Sequence, residues 1–343
     1  MAGVVPALQI GPRLGSGHFG VVHLAQDGVH GQVAVKILER KKGHSDADWH
    51  TYKKGFLTEA QNLSKATHRN VVKVFHIEEL PDGNSIRFCM AYCPGGSLQS
   101  AFEAGPMTLS DVRRVGVEVL LGLGALHSRN MLHRDIKPGN ILLDAAGIAQ
   151  IGDFGLVTDD LLFGYGSQAG YTDHIAYEVW HGGGTSTKTD IWAFGMTLFR
   201  LLHGKAWYEE APPPPMLVPS GGFANTLRWL PHVPKAWRRS IRKMLRDDPM
   251  ARYQTASQAI SGLSRLPIAP PWSTSVTPGC VRWHRVSKTR LYVVEWKRHS
   301  PRKHEWIAWS EPVGKGRKRA LGGSAGIVGK YEAIAGLETY FDV

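Results

Sequence analysis

His133-Arg134-Asp135-Ile136-Lys137-Pro138-Gly139-Asn140 sets three chemically distinct side chains at fixed offsets within one short stretch. Asp135 can accept the proton of a hydroxyl nucleophile. Lys137 can neutralise charge on a phosphoryl group in transit, and Asn140 can offer a carbonyl oxygen to Mg2+. Asp153-Phe154-Gly155, beginning thirteen residues after Asn140, adds a second carboxylate for a metal in a glycine-containing turn. The chemistry such a set could perform is phosphoryl transfer to a hydroxyl.

Two upstream features could hold the phosphates. Leu14-Gly15-Ser16-Gly17-His18-Phe19-Gly20-Val21-Val22 contains GxGxxG, with glycines Gly15, Gly17 and Gly20, where absent side chains let backbone N–H groups approach a phosphate. Such strings also open dinucleotide sites, but there a helix follows; here strand-like residues lie on both sides. Val33-Ala34-Val35-Lys36 ends an apolar run in a lysine that could hold the α- and β-phosphates if a carboxylate holds it in turn. Glu59 is the candidate carboxylate; the bland alternative is two unrelated surface charges.

The elements that must position these residues follow from hydrophobic period. Residues 10–35 favour antiparallel strands, with turns at Asp27-Gly28 and His30-Gly31. A polar stretch, 41–52, leads into Phe56, Leu57, Ala60 and Leu63, whose three- and four-residue spacing predicts a helix carrying Glu59. Strand-like runs at 71–77 and 86–92 bracket the turn Pro81-Asp82-Gly83-Asn84. Beyond Gly95-Gly96 long helices take over: one beginning near Ser110, which could cap it ahead of Asp111, one over 190–202 and one over 237–245. Pro212-Pro213-Pro214-Pro215 predicts an irregular crossing between the last two.

In order and spacing, the chain resembles eukaryotic-like (Hanks-type) Ser/Thr protein kinases over about residues 10–266. The resemblance implies an α+β, bilobal fold: an antiparallel β N-lobe with one helix at about 10–90, and a mainly α C-lobe at about 91–266. It implies ATP and Mg2+ as cofactors, with Mn2+ as a substitute, and a protein substrate bearing a Ser or Thr hydroxyl. By the same resemblance Lys36 pairs with Glu59, and Asp135, Lys137, Asn140 and Asp153 form the catalytic and metal set. His133, Phe154 and Gly155 belong to the two matched motifs. Met90 matches the back of the adenine pocket, Ala91 to Cys93 match the hinge, and Val22, Ala34 and Leu142 match the walls that sandwich the adenine. Asp190 matches the residue that braces the catalytic loop, and Arg252 the arginine that pairs with Glu178 at the end of the activation segment.

The sequence also departs from the family. Gly170-Tyr171-Thr172-Asp173-His174-Ile175-Ala176-Tyr177-Glu178 aligns with GTxxYxAPE, so Tyr171 stands where a threonine normally contacts Asp135 and Lys137, and Tyr177 stands where proline does. Thr172 could supply the hydroxyl after a small shift. Arg134 usually accompanies control by a loop phosphate, and Thr158, Ser167 and Thr172 are the available hydroxyls. Yet no Lys or Arg occurs between Asp153 and Thr187, while Asp159 and Asp160 add negative charge. A phosphate site needs basic partners, so the loop is expected to work unphosphorylated.

The remaining residues read as attachments: 1–9 as an N-terminal extension, 267–279 as a Pro/Ser/Thr-rich linker and 280–343 as a small basic, Trp-rich, β-rich domain with a short helix near 331–337. Of the formal net charge of +12, residues 272–343 contribute +7, from 13 Lys/Arg against 6 Asp/Glu. Its cations and Trp283, Trp296, Trp306 and Trp309 would suit nucleic acid or an acidic protein. In so small a unit, however, tryptophans more often form the core. Ser324 to Tyr331 resembles a Walker A loop but lacks the first glycine and the metal-binding hydroxyl, so it is set aside. Three cysteines without metal spacing, no leader-like N-terminus and no apolar run near ~20 residues point to a cytoplasmic protein. Two rival readings stand beside the kinase: a catalytically silent kinase-fold scaffold recruiting partners through its basic tail, and a small-molecule phosphotransferase.

Overall fold

The computed structural model describes residues 8–17, 20–40, 43–51, 53–54, 67–152 and 172–342. Its first layer is an antiparallel sheet of β1 (Gln9–Gly17), β2 (Gly20–Asp27), β3 (Gly31–Glu39), β4 (Val74–Glu79) and β5 (Ser85–Ala91), in the order β1-β2-β3-β5-β4. The central strand β3 is buried on both faces, which is why Val33, Ala34, Val35 and Lys36 read as one nearly continuous apolar run. Gly20 turns the chain from β1 into β2 with φ +127°, and a Cβ there would lie 2.1 Å from the Ile37 carbonyl oxygen. Only glycine fits.

Helix begins at Asp46, inside the stretch expected to be merely polar. Ser45 is the reason: its hydroxyl accepts the Asp48 N–H at 3.1 Å, and its own N–H donates back to the Asp48 carboxylate. Trp49 anchors this turn by donating from Nε1 to the Gly83 carbonyl at 2.8 Å. The helix face expected at Phe56, Glu59, Ala60 and Leu63 lies outside the described residues.

The second layer is helical: α1 (Leu98–Ala104), α2 (Leu109–His127), α3 (Tyr177–Trp180), α4 (Thr187–Tyr208), α5 (Lys235–Met244) and α6 (Ala256–Ser264). Thr108, not Ser110, caps α2, because the helix starts one residue before Ser110 and the Thr108 hydroxyl accepts the Asp111 N–H at 3.2 Å. α4 is buried on all sides from Thr189 to Gly204, the pattern of a helix at the centre of a lobe. Gly204, at φ +68°, breaks it where a Cβ would come within 2.5 Å of Gly105. The proline run is not wholly irregular: Pro214–Leu217 forms one helical turn, with prolines in the first-turn positions that need no N–H donor.

A second antiparallel sheet follows, a meander of β8 (Ser273–Thr277), β9 (Cys280–Ser287), β10 (Arg290–Arg298), β11 (His304–Pro312) and β12 (Arg319–Gly323), closed by α7 (Lys330–Phe341). The intervening β6 (Ile141–Leu143) and β7 (Ala149–Ile151) form a small ribbon in the helical layer. β8 begins inside the stretch read as linker, since Thr274 and Val276 pair with Trp283 and Val281 of β9. Trp283 and Trp296 are fully buried and Trp306 is nearly so, which removes all three from any base-stacking role. They share one core with the helical layer. Trp296 meets Trp207 at 6.0 Å between ring centroids, Arg298 bonds the Glu210 carboxylate at 2.7 Å, Trp237 donates to Pro267 O at 2.7 Å, and Arg238 pairs with Glu338. His232 is enclosed beside Trp283 and Phe341, and burial pushes its imidazole down to about 3, so it stays neutral.

Among the described residues no helix is long and apolar enough to cross a membrane. Because Trp296 belongs to a core common to both layers, Trp296→Ala is expected to cost about 3–5 kcal/mol. Urea unfolding should show one transition moved to lower midpoint; a separate early transition of residues 273–342 alone would contradict the shared core.

Candidate active site

The loop preceding β6 adopts a conformation that a non-glycine residue rarely takes: Arg134 has φ +66°. Its strain is opposed by Asp190, in the first turn of α4 and 1% exposed. The Asp190 carboxylate accepts the backbone N–H of His133 at 3.0 Å and of Arg134 at 2.8 Å, and meets His127 Nε2, at the end of α2, at 2.8 Å. His133 passes the order inward. Its Nδ1 accepts the Asp135 N–H at 3.3 Å, which leaves Nε2 to donate to Gly152 O at 3.1 Å. Thr197 Oγ1, about two turns along α4, shares its one hydrogen between Ala193 O at 2.9 Å and Ile136 O at 3.3 Å.

Asp135, 5% exposed, is thereby held beside Lys137 and Asn140, two residues that line a cleft. Its Oδ2 accepts from Lys137 Nζ at 2.8 Å and from Asn140 Nδ2 at 2.7 Å. Asn140 Nδ2 also donates to the Asp135 backbone carbonyl at 2.8 Å, so the other side-chain atom, Oδ1, is its acceptor. The Oδ1 of Asp135 receives no hydrogen bond among the described residues, leaving one oxygen able to take a proton from an incoming hydroxyl.

The cleft, of about 980 Å3, lies between the first sheet and the helical layer. Gly15, Val22, Ala34, Lys36, Met90, Ala91, Cys93, Lys137, Asn140 and Leu142 all line it. Its walls are apolar above and below, from β2–β3 and β6, and cationic at Lys36 and Lys137. Gly17 pairs with Gly20 at the tip of the β1–β2 hairpin. Glu59, Asp153, Phe154 and Gly155 lie outside the described residues, although Gly152, hydrogen-bonded to Asn140 O through its N–H at 2.9 Å, brings β7 up to the cleft.

Glu178 opens α3 and forms two hydrogen bonds with Arg252, at 2.8 and 2.6 Å. The guanidinium spends its other three donors on the carbonyls of Arg246, Lys188 and Asp247 at 2.7–3.0 Å, so a side chain that is 0% exposed has every N–H satisfied. Thr172 starts a tight turn, Thr172–His174, and no hydrogen bond joins it to Asp135 or Lys137. Next to it His174 is enclosed near Arg200 and Lys137; burial first, then those two cations, hold its imidazole well below the ordinary range. Burial raises the Asp173 carboxyl, partly offset by the Tyr208 hydroxyl that donates to it at 2.7 Å.

Three contributors escaped sequence reasoning. His127 is a partner of Asp190 from a helix end, and Asp173 and Arg200 line the far end of the cleft. Nothing in their local spacing marks them, because each acquires its neighbour across a long stretch of chain.

Residues 8–262 match the family model described as protein kinase domain. Over 250 residues, 71% of the chain, the protein is 30% identical to serine/threonine-protein kinase PrkC of Bacillus subtilis, covering 38% of that protein. It is also 30% identical over 240 residues, 63% of the chain, to the DNA damage-responsive serine/threonine-protein kinase RqkA of Deinococcus radiodurans, covering 35% of it. A third relative, serine/threonine-protein kinase PksC of Streptomyces coelicolor, is 30% identical over 60% of the chain and 38% of its own length. The matched region thus spans little more than a third of the length of these relatives. The loop pinned by Asp190, the Asp135–Lys137–Asn140 cluster next to the cleft and a family match across most of the length agree: the chain belongs to the protein kinase domain family.

Proposed function

We propose that the protein transfers the γ-phosphoryl group of ATP to Ser or Thr hydroxyls of protein substrates. The observation that carries this reading is the division of labour within one carboxylate: Asp135 Oδ2 is occupied by Lys137 and Asn140, while Oδ1 receives no hydrogen bond among the described residues. Val22, Ala34 and Leu142 supply apolar faces for a purine, and Met90 to Cys93 run along the back of the cleft. Lys36, 6% exposed on β3, is a fixed cation for the α- and β-phosphates, with Glu59 as its carboxylate.

Asn140 Oδ1 is a hard oxygen donor, turned away from Asp135 by the bonds that Nδ2 makes, and so fits a divalent cation of the Mg2+ or Mn2+ kind with Asp153 completing the pair. Mg2+, when bound, neutralises phosphate charge. Asp135 orients the hydroxyl and accepts its proton at Oδ1, and Lys137 holds Asp135 in place while offsetting charge beside it. Positioning and electrostatics carry most of the rate in such a site. Lys137 two residues after Asp135, and the names of the relatives, support Ser/Thr over Tyr. Three free thiols and the lack of a membrane-crossing helix among the described residues fit a cytoplasmic setting. Arg282, Lys297, Arg302, Lys303, Arg317 and Arg319 are exposed on the second sheet and its loops, which supports an anionic partner there, nucleic acid or acidic protein.

Asp135→Asn is expected to lower phosphate transfer from labelled ATP to a generic protein substrate by about 10²–10⁴-fold; the far-ultraviolet spectrum should be unchanged, and full activity in this variant would end the reading. Asn140→Ala should raise the Mg2+ concentration needed for half-maximal rate, read from a metal titration. Replacing Thr158, Ser167 and Thr172 together by Ala should leave the rate of phosphate-free protein within about twofold, because no cation in the segment is available to hold a phosphate. A loss of activity in that triple variant would show that a loop hydroxyl is required.

A further inference from the structure

The cleft is longer than a nucleotide requires. A volume of about 980 Å3 is at the top of the range for a small-molecule site, roughly 300–1,000 Å3. Beyond Lys137 and Asn140 it continues between α1 and the end of α4, where Phe102, Asp173, Arg200 and Tyr208 line it. This end has its own chemistry.

Arg200 is 7% exposed, and its guanidinium lies over two aromatic rings, 4.2 Å from the centre of Phe102 and 4.9 Å from that of Tyr208. Such cation–ring contacts are attractive but satisfy none of its N–H donors. Its acidic neighbour, Asp173 Oδ2, stands at 3.8 Å, beyond hydrogen-bond reach, and that same oxygen already accepts the Tyr208 hydroxyl at 2.7 Å. Among the described residues Nε of Arg200 is buried without a hydrogen-bond partner. An enclosed guanidinium with unspent donors, on the wall of the cleft that holds Lys137, is an unfinished ion pair. A carboxylate or phosphate entering the cleft would finish it, at a site where desolvation has already been met in folding.

We infer that Arg200 reads an anionic side chain of the polypeptide substrate, near the hydroxyl that receives the phosphoryl group. The inference rests on the kinase reading and deepens it, assigning to this end of the cleft a preference for Asp, Glu or a phosphorylated residue. Phe102 and Tyr208 are positioning residues: their rings flank the guanidinium at the wall of the cleft. Asp173 keeps the charge tolerable when the site is empty, while its raised carboxyl pKa weakens it as a competitor for Arg200.

The test uses the full chain with Mg2+ and ATP on a peptide library having one central Ser or Thr and each flanking position varied in turn. The flanking residue is Glu, phosphoserine, Gln or Lys. The readout is the ratio of kcat/KM for an anionic residue to that for Gln within one enzyme, so any loss of folded protein or overall rate cancels. In the unaltered protein the ratio is expected to reach about tenfold at one position, the size of one charge-assisted hydrogen bond. It should fall to about one in Arg200→Gln, drop below one in Arg200→Glu and stay intermediate in Arg200→Lys. Selection of Glu or of phosphoserine supports the inference and says which anion is used. A ratio near one at every position of the unaltered protein overturns it, even if Arg200→Gln does not fold, as does an anionic preference that survives in Arg200→Gln. Transfer with no anionic preference removes only this inference, whereas transfer to no hydroxyl at all removes the function on which it stands.

Discussion

One buried carboxylate, that of Asp190, sets the shape of the site. It accepts two consecutive backbone N–H groups from a loop whose Arg134 is held at φ +66°, a conformation costing about 1–3 kcal/mol for a residue with a side chain. Charge-assisted bonds in a site 1% exposed to solvent are strong enough to oppose that cost. Since Asp190 is itself part of α4, the helix buried on every side, the loop inherits the rigidity of the lobe core. His133 and Thr197 extend the same restraint to Asp135 and Ile136.

A second consequence concerns where the cleft can be. Lys36 is carried by a strand of the first sheet, whereas Asp135, Lys137 and Asn140 come from a loop of the helical layer. Groups of opposite role therefore face one another only because the two layers meet along β5 and the segment after it. Apolar side chains from both layers line the space between, and a low-polarity lining strengthens each electrostatic contact made there.

The second sheet is joined to the helical layer as part of its core. Trp207, immediately before Tyr208 at the end of α4, packs on Trp296, and Glu210, just beyond, is held by both Arg228 and Arg298. The end of α4 that carries Arg200 and Tyr208 to the far part of the cleft is thus braced from behind by β10. A unit read from composition as an attachment has a mechanical connection to the wall of the site.

Sequence alone determined the chemistry and its order. Asp135, Lys137 and Asn140 were legible because their spacing lies within one loop, Lys36 because it ends an apolar strand-like run, and Leu142 only through the family resemblance. Local order also showed the two sheets and the change to helices after Gly95. Tertiary structure decided what depends on partners distant in the chain. It chose Thr108 over Ser110 as a helix cap, drew β8 out of a proline- and serine-rich stretch by pairing it with β9, and joined Trp283 and Trp296, already read as core residues, to the core of the helical layer. It also set Arg200 against two rings, with its Nε buried and without a hydrogen-bond partner among the described residues. The physical reason is common to all of these: spacing fixes the direction of a side chain relative to its own element, but burial and pairing depend on what another element brings to the same place.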